Sequence, residues 1–331
     1  MTKQWNERAL IDISGAYWAG CALQAGVRLD LFSVLEKGGR PEEELVRELN
    51  CDGRALSMLI TALCAQGMLE RKKGKVCAPP EIIRYLSRSS PDYVGFIVRH
   101  HGEIMKNWVN LPDIVRFGRK PDASSVFTQD EDERRDFLMG MFNMARLQAG
   151  RVAEVLDLSG KKSLLDIGGG PGTYACYFCL KNPELKADVF DLPTTGPFAL
   201  DIVDRMGLKD RVGFRPGNFN ADPLPGPYDV AWVSQVIHGE SEDDAAALIR
   251  KAGGILNPGG LLCVQEFTLS DDLNGPAHAA LFSLNMLVQT PGGRAYTASE
   301  ICAMISGAGA KRVRGLPVTL PMDCRVFVGE M

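Results

Sequence analysis

One short stretch, Leu164 to Thr173, constrains the fold of this chain more than any other part of it. It reads Leu-Leu-Asp-Ile-Gly-Gly-Gly-Pro-Gly-Thr, so an apolar run of strand length leads into a glycine-rich loop, and a helical pattern follows. Glycine lets the backbone approach a ligand that any Cβ would block. The free amide groups at the start of a helix accept carboxylates or phosphates. The stretch therefore predicts a strand, a ligand-binding loop and a helix of a nucleotide-type α/β fold.

The chain from residue 163 onward continues this alternation of strand and helix. Strands are predicted at 163–167, 187–190, 212–215, 228–233, 261–267, 313–316 and 325–328. Helices are predicted between them at 173–180, 198–206, 242–256 and 299–308. Such an alternation predicts a parallel sheet that is covered by helices on both faces, which is the doubly wound, Rossmann-like architecture.

The chain before residue 95 has a different pattern of short helices and one hairpin. Pro41 and the acidic residues after it suit the first turn of a helix. A second helix begins near Gly53 and has Gly67 as its C-terminal cap, and residues 68–77 form two short strands around a Lys-Gly turn. Helix, helix and hairpin in this order predict a winged helix. Three regions follow: a winged-helix domain at 1–95, a helical linker and pocket region at 96–158, and a sheet domain at 159–331.

A winged helix binds DNA when its second helix carries basic or amide side chains into the major groove. Here that helix offers Arg54 and its end offers Gln66, with apolar residues at most other positions. The basic residues cluster in the wing instead, which a solvated hairpin tip explains equally well. The sequence favours packing or dimer formation, with no nucleic acid bound, and a ligand-sensing DNA-binding regulator stays as an alternative.

Composition excludes several other classes of protein. The 331 residues are 45% hydrophobic and 24% charged, as in ordinary globular proteins, and the net charge of −4 gives no general attraction to nucleic acid or anionic membranes. The longest apolar segment, at 16–27, is shorter than the roughly 18 residues of a membrane helix. The N-terminus has no apolar export segment and the nine cysteines are scattered, so we expect a cytoplasmic protein with reduced thiols.

Two positions around the glycine loop predict the class of ligand. A dinucleotide fingerprint, G-x-G-x-x-G, needs glycine at the position of Thr173. Asp166 precedes the first glycine by two residues, where a carboxylate suits a ligand with ammonium and sulfonium charges better than it suits a pyrophosphate. S-adenosylmethionine carries those charges and has no phosphate. The sequence therefore favours S-adenosylmethionine over a nicotinamide dinucleotide.

Two further segments are predicted to contact the adenosyl group. Asp191 ends the second strand of the sheet, 19 positions after Gly172, where doubly wound folds present an acid to the ribose hydroxyls. After the third strand, the amide of Asn218 is placed to bond the adenine edge and Phe219 is placed to stack on its face.

Together these motifs resemble those of the class I S-adenosylmethionine-dependent methyltransferases, and more narrowly the small-molecule O-methyltransferases with an N-terminal winged-helix dimerisation domain. The resemblance covers nearly the whole chain. It rests on the glycine motif at 165–172, Asp191-Leu192-Pro193, Gly217-Asn218-Phe219, the segments at 234–238 and 264–267, and the Pro-Gly-Gly loop at 290–297. It implies a homodimer and a small-molecule acceptor. The cofactor-binding residues it implies are Asp166, Gly168, Gly169, Gly170, Gly172, Asp191, Leu192, Asn218, Phe219 and Ser234.

The resemblance also implies a catalytic pair, with His238 as general base and Glu266 as the acid that orients it. An ordinary surface or loop histidine is the alternative for His238, and Glu266 could equally be an ordinary solvated acid at a strand end. The acceptor pocket is expected to include His101, Met286 and Thr290, and no metal site is expected.

Two positions depart from the family pattern near the expected base. Relatives often have an aspartate where this chain has Gly239, and a second orienting glutamate where it has Ala295. Because the base assembly is incomplete, methylation at carbon or nitrogen is an alternative to methylation at a hydroxyl.

Overall fold

The computed structural model describes residues 5–118 and 130–331, and the chain divides into two compact units between Met105 and Lys106. The three regions predicted from the sequence place their boundaries at 95 and 158 instead. That finer division stays a prediction, and the two units are described separately below.

The first unit is mainly helical. Its elements are α1 (Glu7–Ser14), α2 (Tyr17–Arg28), α3 (Leu31–Val34), α4 (Glu42–Glu48), α5 (Gly53–Ala65), β1 (Glu70–Lys72), β2 (Lys75–Cys77), α6 (Pro80–Leu86) and most of α7 (Gly95–Trp108). Three acidic residues fill the first turn of α4, where they interact favourably with the helix dipole. Phe32, Ile60 and Leu63 are completely buried in the core. The predicted order of helix, helix and hairpin is confirmed by α4, α5 and the antiparallel β1–β2 pair.

The second unit alternates strands and helices after three initial helices. Its helices are α8 (Leu111–Phe117), α9 (Glu131–Arg146), α10 (Ala149–Val155), α11 (Thr173–Lys181), α12 (Gly196–Arg205), α13 (Glu242–Gly254), α14 (Ala277–Gln289) and α15 (Ala298–Gly307). Its strands are β3 (Ser163–Ile167), β4 (Lys186–Asp191), β5 (Val212–Pro216), β6 (Tyr228–Ser234), β7 (Leu256–Leu269), β8 (Tyr296–Thr297), β9 (Arg312–Gly315) and β10 (Cys324–Glu330). All seven strands predicted from the sequence are present.

The strands of the second unit form one sheet in the order β5-β4-β3-β6-β7-β10-β9, with β8 paired to β7. Strands β3 to β7 are parallel, as predicted. The prediction was wrong for β10, which is antiparallel to both β7 and β9. The connection from β9 to β10 contains only a short 3₁₀ turn at Pro321–Asp323, whereas a parallel pair needs a long crossover, so the chain reverses there.

Strand β7 also begins earlier than expected, at Leu256 rather than residue 261. The register against β6 shifts between Tyr228 and Val230, and this irregularity accommodates the left-handed Gly259 (φ +77°) within the strand. Residues 256–260 are therefore part of the strand.

Both faces of the sheet are covered, as the apolar strands predicted. Successive strand residues point to opposite faces, and Trp232 and Val233 of β6 accordingly belong to separate hydrophobic clusters. On the Trp232 face, Phe178 of α11 meets the indole edge-on at 4.8 Å between ring centroids.

The described residues contain neither a helix that could span a membrane nor a cluster of metal-ligating side chains. No helix among them is long and apolar enough to cross a bilayer. No group of three or more metal-ligating side chains occurs in the described ranges. All nine cysteines lie in those ranges and are free thiols, as expected.

We expect Phe178→Ala to lower the free energy of unfolding by about 3–5 kcal/mol, because it leaves a cavity against Trp232 in a completely buried site. Leu180→Ala is the matched control on the same helix, since that side chain is 51% exposed. Urea unfolding checks both variants, and equal losses would contradict this account of the core.

Candidate active site

The carboxyl ends of the parallel strands bring the sequence-predicted cofactor residues to one edge of the sheet. The glycine loop follows β3, Asp191 ends β4, Asn218 follows β5 and Ser234 ends β6. Ligands gather at this edge in open α/β sheets. The topology therefore places these residues on neighbouring strand ends, although Ser234 lies 66 positions after Gly168 in the chain.

The glycine loop depends on backbone conformations and approaches that a side chain would obstruct. Gly170 has φ +53°, a left-handed conformation that glycine adopts without strain, and its N–H donates to Asp191 Oδ2 at 2.8 Å. A Cβ at Gly169 would lie 2.5 Å from Cγ of Asp166. The loop thus lies directly on one carboxylate and is hydrogen-bonded to another.

Asp166 lies beneath the loop and is 1% exposed. Its Oδ2 accepts the backbone N–H of Ala175, in the first turn of α11, at 3.2 Å. Burial raises the pKa of Asp166 to about 7, an effect to which the nearby Asp191 adds and which the Ala175 hydrogen bond opposes. Its contacts in this structure are therefore with the loop and the helix after it.

Asp191 is held by the loop and by the residues that follow it. Besides Gly170, it accepts the N–H of Leu192 at 2.7 Å and the hydroxyl of Thr195 at 2.9 Å. Burial raises the pKa of this carboxyl, and these hydrogen bonds oppose the rise. A carboxylate accepts about four hydrogen bonds, so capacity remains for a ribose hydroxyl.

The loop after β5 is anchored by a residue that sequence reasoning missed. The Nζ of Lys251, on α13, donates to the carbonyl oxygen of Phe219 at 2.9 Å. Asn218 is exposed, and its Oδ1 accepts the N–H of Asn220 at 2.9 Å. Phe219 is half-buried close to Gly168, beside the glycine loop. A lysine on a distant helix gives no local sequence signal for this contact.

The structure brings together the two residues of the expected catalytic pair. The Nδ1 of His238 lies 2.7 Å from Oε2 of Glu266, which is 1% exposed. The other oxygen, Oε1, accepts the backbone N–H of Val236 at 2.9 Å and that of His238 at 3.4 Å. Nε2 of His238 has no hydrogen-bond partner among the described residues.

The turn that carries His238 begins with a strained residue. Gln235 directly follows β6 with φ +57°, a left-handed conformation that costs a non-glycine residue roughly 1–2 kcal/mol. Its N–H donates to the carbonyl oxygen of Gln265 at 2.9 Å, and the chain then enters the 3₁₀ turn Ile237–Gly239. The sequence contained no signal for this left-handed residue.

Two phenylalanines that sequence reasoning did not assign to the site surround the imidazole. Phe282 of α14 meets the His238 ring edge-on at 4.8 Å, and Phe267 of β7 stacks on it at 6.2 Å between centroids. These two rings also contact each other at 4.3 Å. Phe267 directly follows Glu266, and Phe282 lies four residues before Met286. This closeness to residues already assigned to the site could have identified both rings from the sequence.

Of the expected acceptor-pocket residues, Met286 and Thr290 belong to the second unit and His101 belongs to the first. Met286 is buried in α14, and the Thr290 hydroxyl accepts the N–H of Gly293 while donating to the Met286 carbonyl, each at 2.8 Å. His101 belongs to the first unit, on α7, and is exposed. Ala295 stands where relatives often carry a second orienting glutamate; it is 1% exposed and has no carboxylate.

The residues at this edge fit S-adenosylmethionine. The loop presents backbone amides and no cationic side chain, and two carboxylates lie beside it, so a pyrophosphate would meet like charge while an ammonium or sulfonium would not. Thr173 Oγ1 and Gln235 Oε1 are buried oxygens with no partner among the described residues. Such atoms suit the hydrogen-bond donors of the aminoacyl and ribose groups.

Asp166 should make the stability of the protein depend on pH. Its folded-state pKa of about 7 exceeds the ordinary value of 3.8, so between pH 4 and 7 the unfolded chain loses this proton first and stability falls as the pH rises. We expect Asp166→Asn to gain on the order of 2 kcal/mol relative to wild type between pH 5 and pH 8, measured by urea unfolding.

Asp229→Asn is the control for this measurement. Burial opposes ionisation of Asp229, but hydrogen bonds from Lys162, Asn257 and Ser163 outweigh burial and lower its pKa. Asp229 is then ionised in both the folded and the unfolded chain from pH 5 to 8, so the change in stability caused by Asp229→Asn should be constant over that range. A gain for Asp166→Asn that does not vary with pH would contradict the assignment.

Comparison with known proteins agrees with this geometry. Residues 108–311, more than half of the chain, match the family model of the O-methyltransferase domain. The chain is 32% identical over 318 residues to the tetracenomycin polyketide synthesis 8-O-methyl transferase TcmO of Streptomyces glaucescens, covering 94% of each chain. It is 30% identical over 325 residues to the 3-hydroxy-5-methyl-1-naphthoate 3-O-methyltransferase of Streptomyces sahachiroi, covering 97% of this chain and 94% of that one.

A solved structure of PigF with SAH superposes on this chain with a TM-score of 0.91 at 25% identity, covering 99% of this chain and 100% of that chain. The Rossmann-like fold expected from the sequence is therefore confirmed. The chain belongs to the O-methyltransferase family, and it is a methyltransferase that uses S-adenosylmethionine.

Proposed function

We propose that this enzyme transfers the methyl group of S-adenosylmethionine to the hydroxyl of a small aromatic acceptor, with His238 as the general base. The observation that carries the proposal is the hydrogen bond between Nδ1 of His238 and the buried carboxylate of Glu266. The Glu266 carboxylate accepts hydrogen bonds from two backbone N–H groups and acts as an acceptor toward the imidazole as well. The donor in that bond is therefore the Nδ1–H of His238. The lone pair of His238 is then on Nε2, available for the acceptor hydroxyl.

The chain's own residues divide the work of the reaction. The glycine loop and Asp191 hold the adenosyl group, which supplies a sulfonium methyl when bound. His238 takes the proton of the acceptor hydroxyl, whose pKa is about 10 for a phenol in water. Glu266 orients the imidazole and offsets the positive charge that it gains. Alignment of the acceptor oxygen with the methyl group provides much of the remaining acceleration.

The surroundings of His238 favour a flat aromatic acceptor. Phe267 and Phe282 place two aromatic rings beside the imidazole, and aromatic pairs contribute about 0.5–1.5 kcal/mol beyond their area burial. The names of the two relatives given above, a naphthoate and a tetracenomycin methyltransferase, agree with such an acceptor. We therefore assign the acceptor class as phenols and hydroxylated fused rings.

We expect His238→Ala to lower kcat about 10²- to 10⁴-fold, because general-base catalysis contributes factors of this size. Glu266→Gln keeps the shape but removes the charge, so we expect a smaller loss of about tenfold. The measurement is transfer of labelled methyl to a panel of phenols and hydroxynaphthoates, with SAH affinity by calorimetry as the control. Unchanged turnover in His238→Ala would remove His238 from the mechanism.

We further propose that the first unit forms a homodimer. Helix α1 has no buried residue in the single chain, and a short helix that buries none of its side chains is marginal in water. Its exposed apolar side chains continue into α2, and they are Leu10, Ile11, Ile13, Tyr17 and Trp18. An exposed patch of this kind marks a protein-interaction surface, and the winged-helix resemblance makes a second copy of the chain its partner.

Trp18→Glu should convert the dimer to single chains, because it places a charge in the centre of the proposed interface. Light scattering measures the molecular mass of the wild type and of the Trp18→Glu variant. Leu180→Glu, an exposed apolar residue of the second unit, is the control and should leave the mass unchanged. A wild-type protein that scatters as one chain at micromolar concentration would contradict the proposal.

A further inference from the structure

The loop from Thr290 to Tyr296, called here the Pro-Gly-Gly loop, packs against the turn that carries His238. The contact is closest at Gly293, where a Cβ would lie 2.3 Å from the carbonyl oxygen of His238 and 3.0 Å from the carbonyl carbon of Gly239. These two obstructing atoms are backbone, and a third, the side-chain Oγ1 of Thr290, would lie 2.5 Å away, so a larger residue at 293 would displace the turn as well as that hydroxyl. Glycine is therefore required by the approach of the loop to the histidine.

Tyr296 holds the same turn at its far end. Its hydroxyl donates to the carbonyl oxygen of Glu240 at 3.0 Å, directly after the 3₁₀ turn Ile237–Gly239, and its ring is completely buried. Burial raises the pKa of Tyr296 to about 12, so the hydroxyl remains a donor over the working pH range. Tyr296 also pairs with Thr268 of β7, the strand that carries Glu266.

Arg294 fixes the loop between two helix N-termini. Its guanidinium donates to both carboxylate oxygens of Glu300 in α15, at 2.8 and 3.1 Å, and to Glu242 in the first turn of α13 at 3.0 Å. It also lies over the Tyr296 ring, 4.3 Å from the centroid. A bidentate, stacked arginine restricts the loop strongly, so the contacts of Gly293 and Tyr296 are made from a rigid support.

We propose that Gly293 and Tyr296 are positioning residues for His238, which hold its turn from the loop side while Glu266 holds it from the strand side. The inference rests on the proposed function for its catalytic meaning. It also explains how the chain orients a histidine without an acid at Ala295. The loop acts instead through the backbone contact of Gly293, two residues before Ala295, and through the hydroxyl of Tyr296, one residue after it.

The test reads the imidazole directly in the free enzyme. Nitrogen-15 spectra of the four histidines, with His238 assigned by its loss in His238→Gln, report which ring nitrogen carries the proton and how fast that proton exchanges with water. We expect the wild type to show a slowly exchanging Nδ1–H. In Tyr296→Phe this exchange should be about two- to tenfold faster, the factor that loss of one hydrogen bond predicts.

Tyr228→Phe is the matched control. Tyr228 is also a mostly buried tyrosine, and its hydroxyl donates to Asp188 at 2.6 Å. It lies at the opposite end of β6, the strand that leads to His238. The variant should leave the imidazole signal unchanged. Gly293→Ala is the second variant and should move the His238 resonances, whereas Gly254→Ala, with open space around its Cβ position, should not.

Equal exchange rates in wild type, Tyr296→Phe and Gly293→Ala would overturn the proposal. So would equal acceleration in Tyr228→Phe, because the effect would then be a general loss of stability. Calorimetry of SAH binding, together with turnover, tests the proposed function separately from the positioning proposal. Wild-type protein that does not bind SAH, or His238→Ala that retains turnover, overturns the function and leaves the positioning comparison intact.

Discussion

A carboxylate removed from water must be satisfied by hydrogen bonds, and Glu266 meets this requirement with donors from the turn after β6. One oxygen takes the N–H groups of Val236 and His238, and the other takes the imidazole. These bonds determine the shape of the turn and the direction of the histidine ring together. Because an unpaired buried charge costs several kcal/mol, the turn and the acid hold each other in place.

A second electrostatic arrangement lies beside the glycine loop. Burial raises the pKa of both Asp166 and Asp191, and the nearby Asp191 also disfavours ionisation of Asp166. An edge of this kind attracts a cationic ligand and repels phosphate. We propose that the charges of these two residues make an αβ topology that binds dinucleotides elsewhere hold S-adenosylmethionine here.

Several elements could be predicted because their signals are local. The glycine loop, the alternating strands and the hairpin depend on neighbouring residues, and the structure reproduces them. The direction of β10 could not be predicted, since it depends on a short connection that contains only a 3₁₀ turn. The contact of Tyr296 with Glu240 joins residues 56 positions apart and involves a backbone carbonyl, which has no sequence signature.

The strand–loop–helix unit and the class of cofactor could be predicted from glycine's backbone freedom, from charge and from motif spacing, and the family resemblance implied the histidine and the acid that meet. How the histidine is held became visible only in the folded chain: a buried carboxylate contacts it on one side, and Gly293 and Tyr296 contact its turn on the other. Burial and the approach of two backbone segments depend on packing between distant parts of the chain, whereas residue type and spacing can be read directly from the sequence.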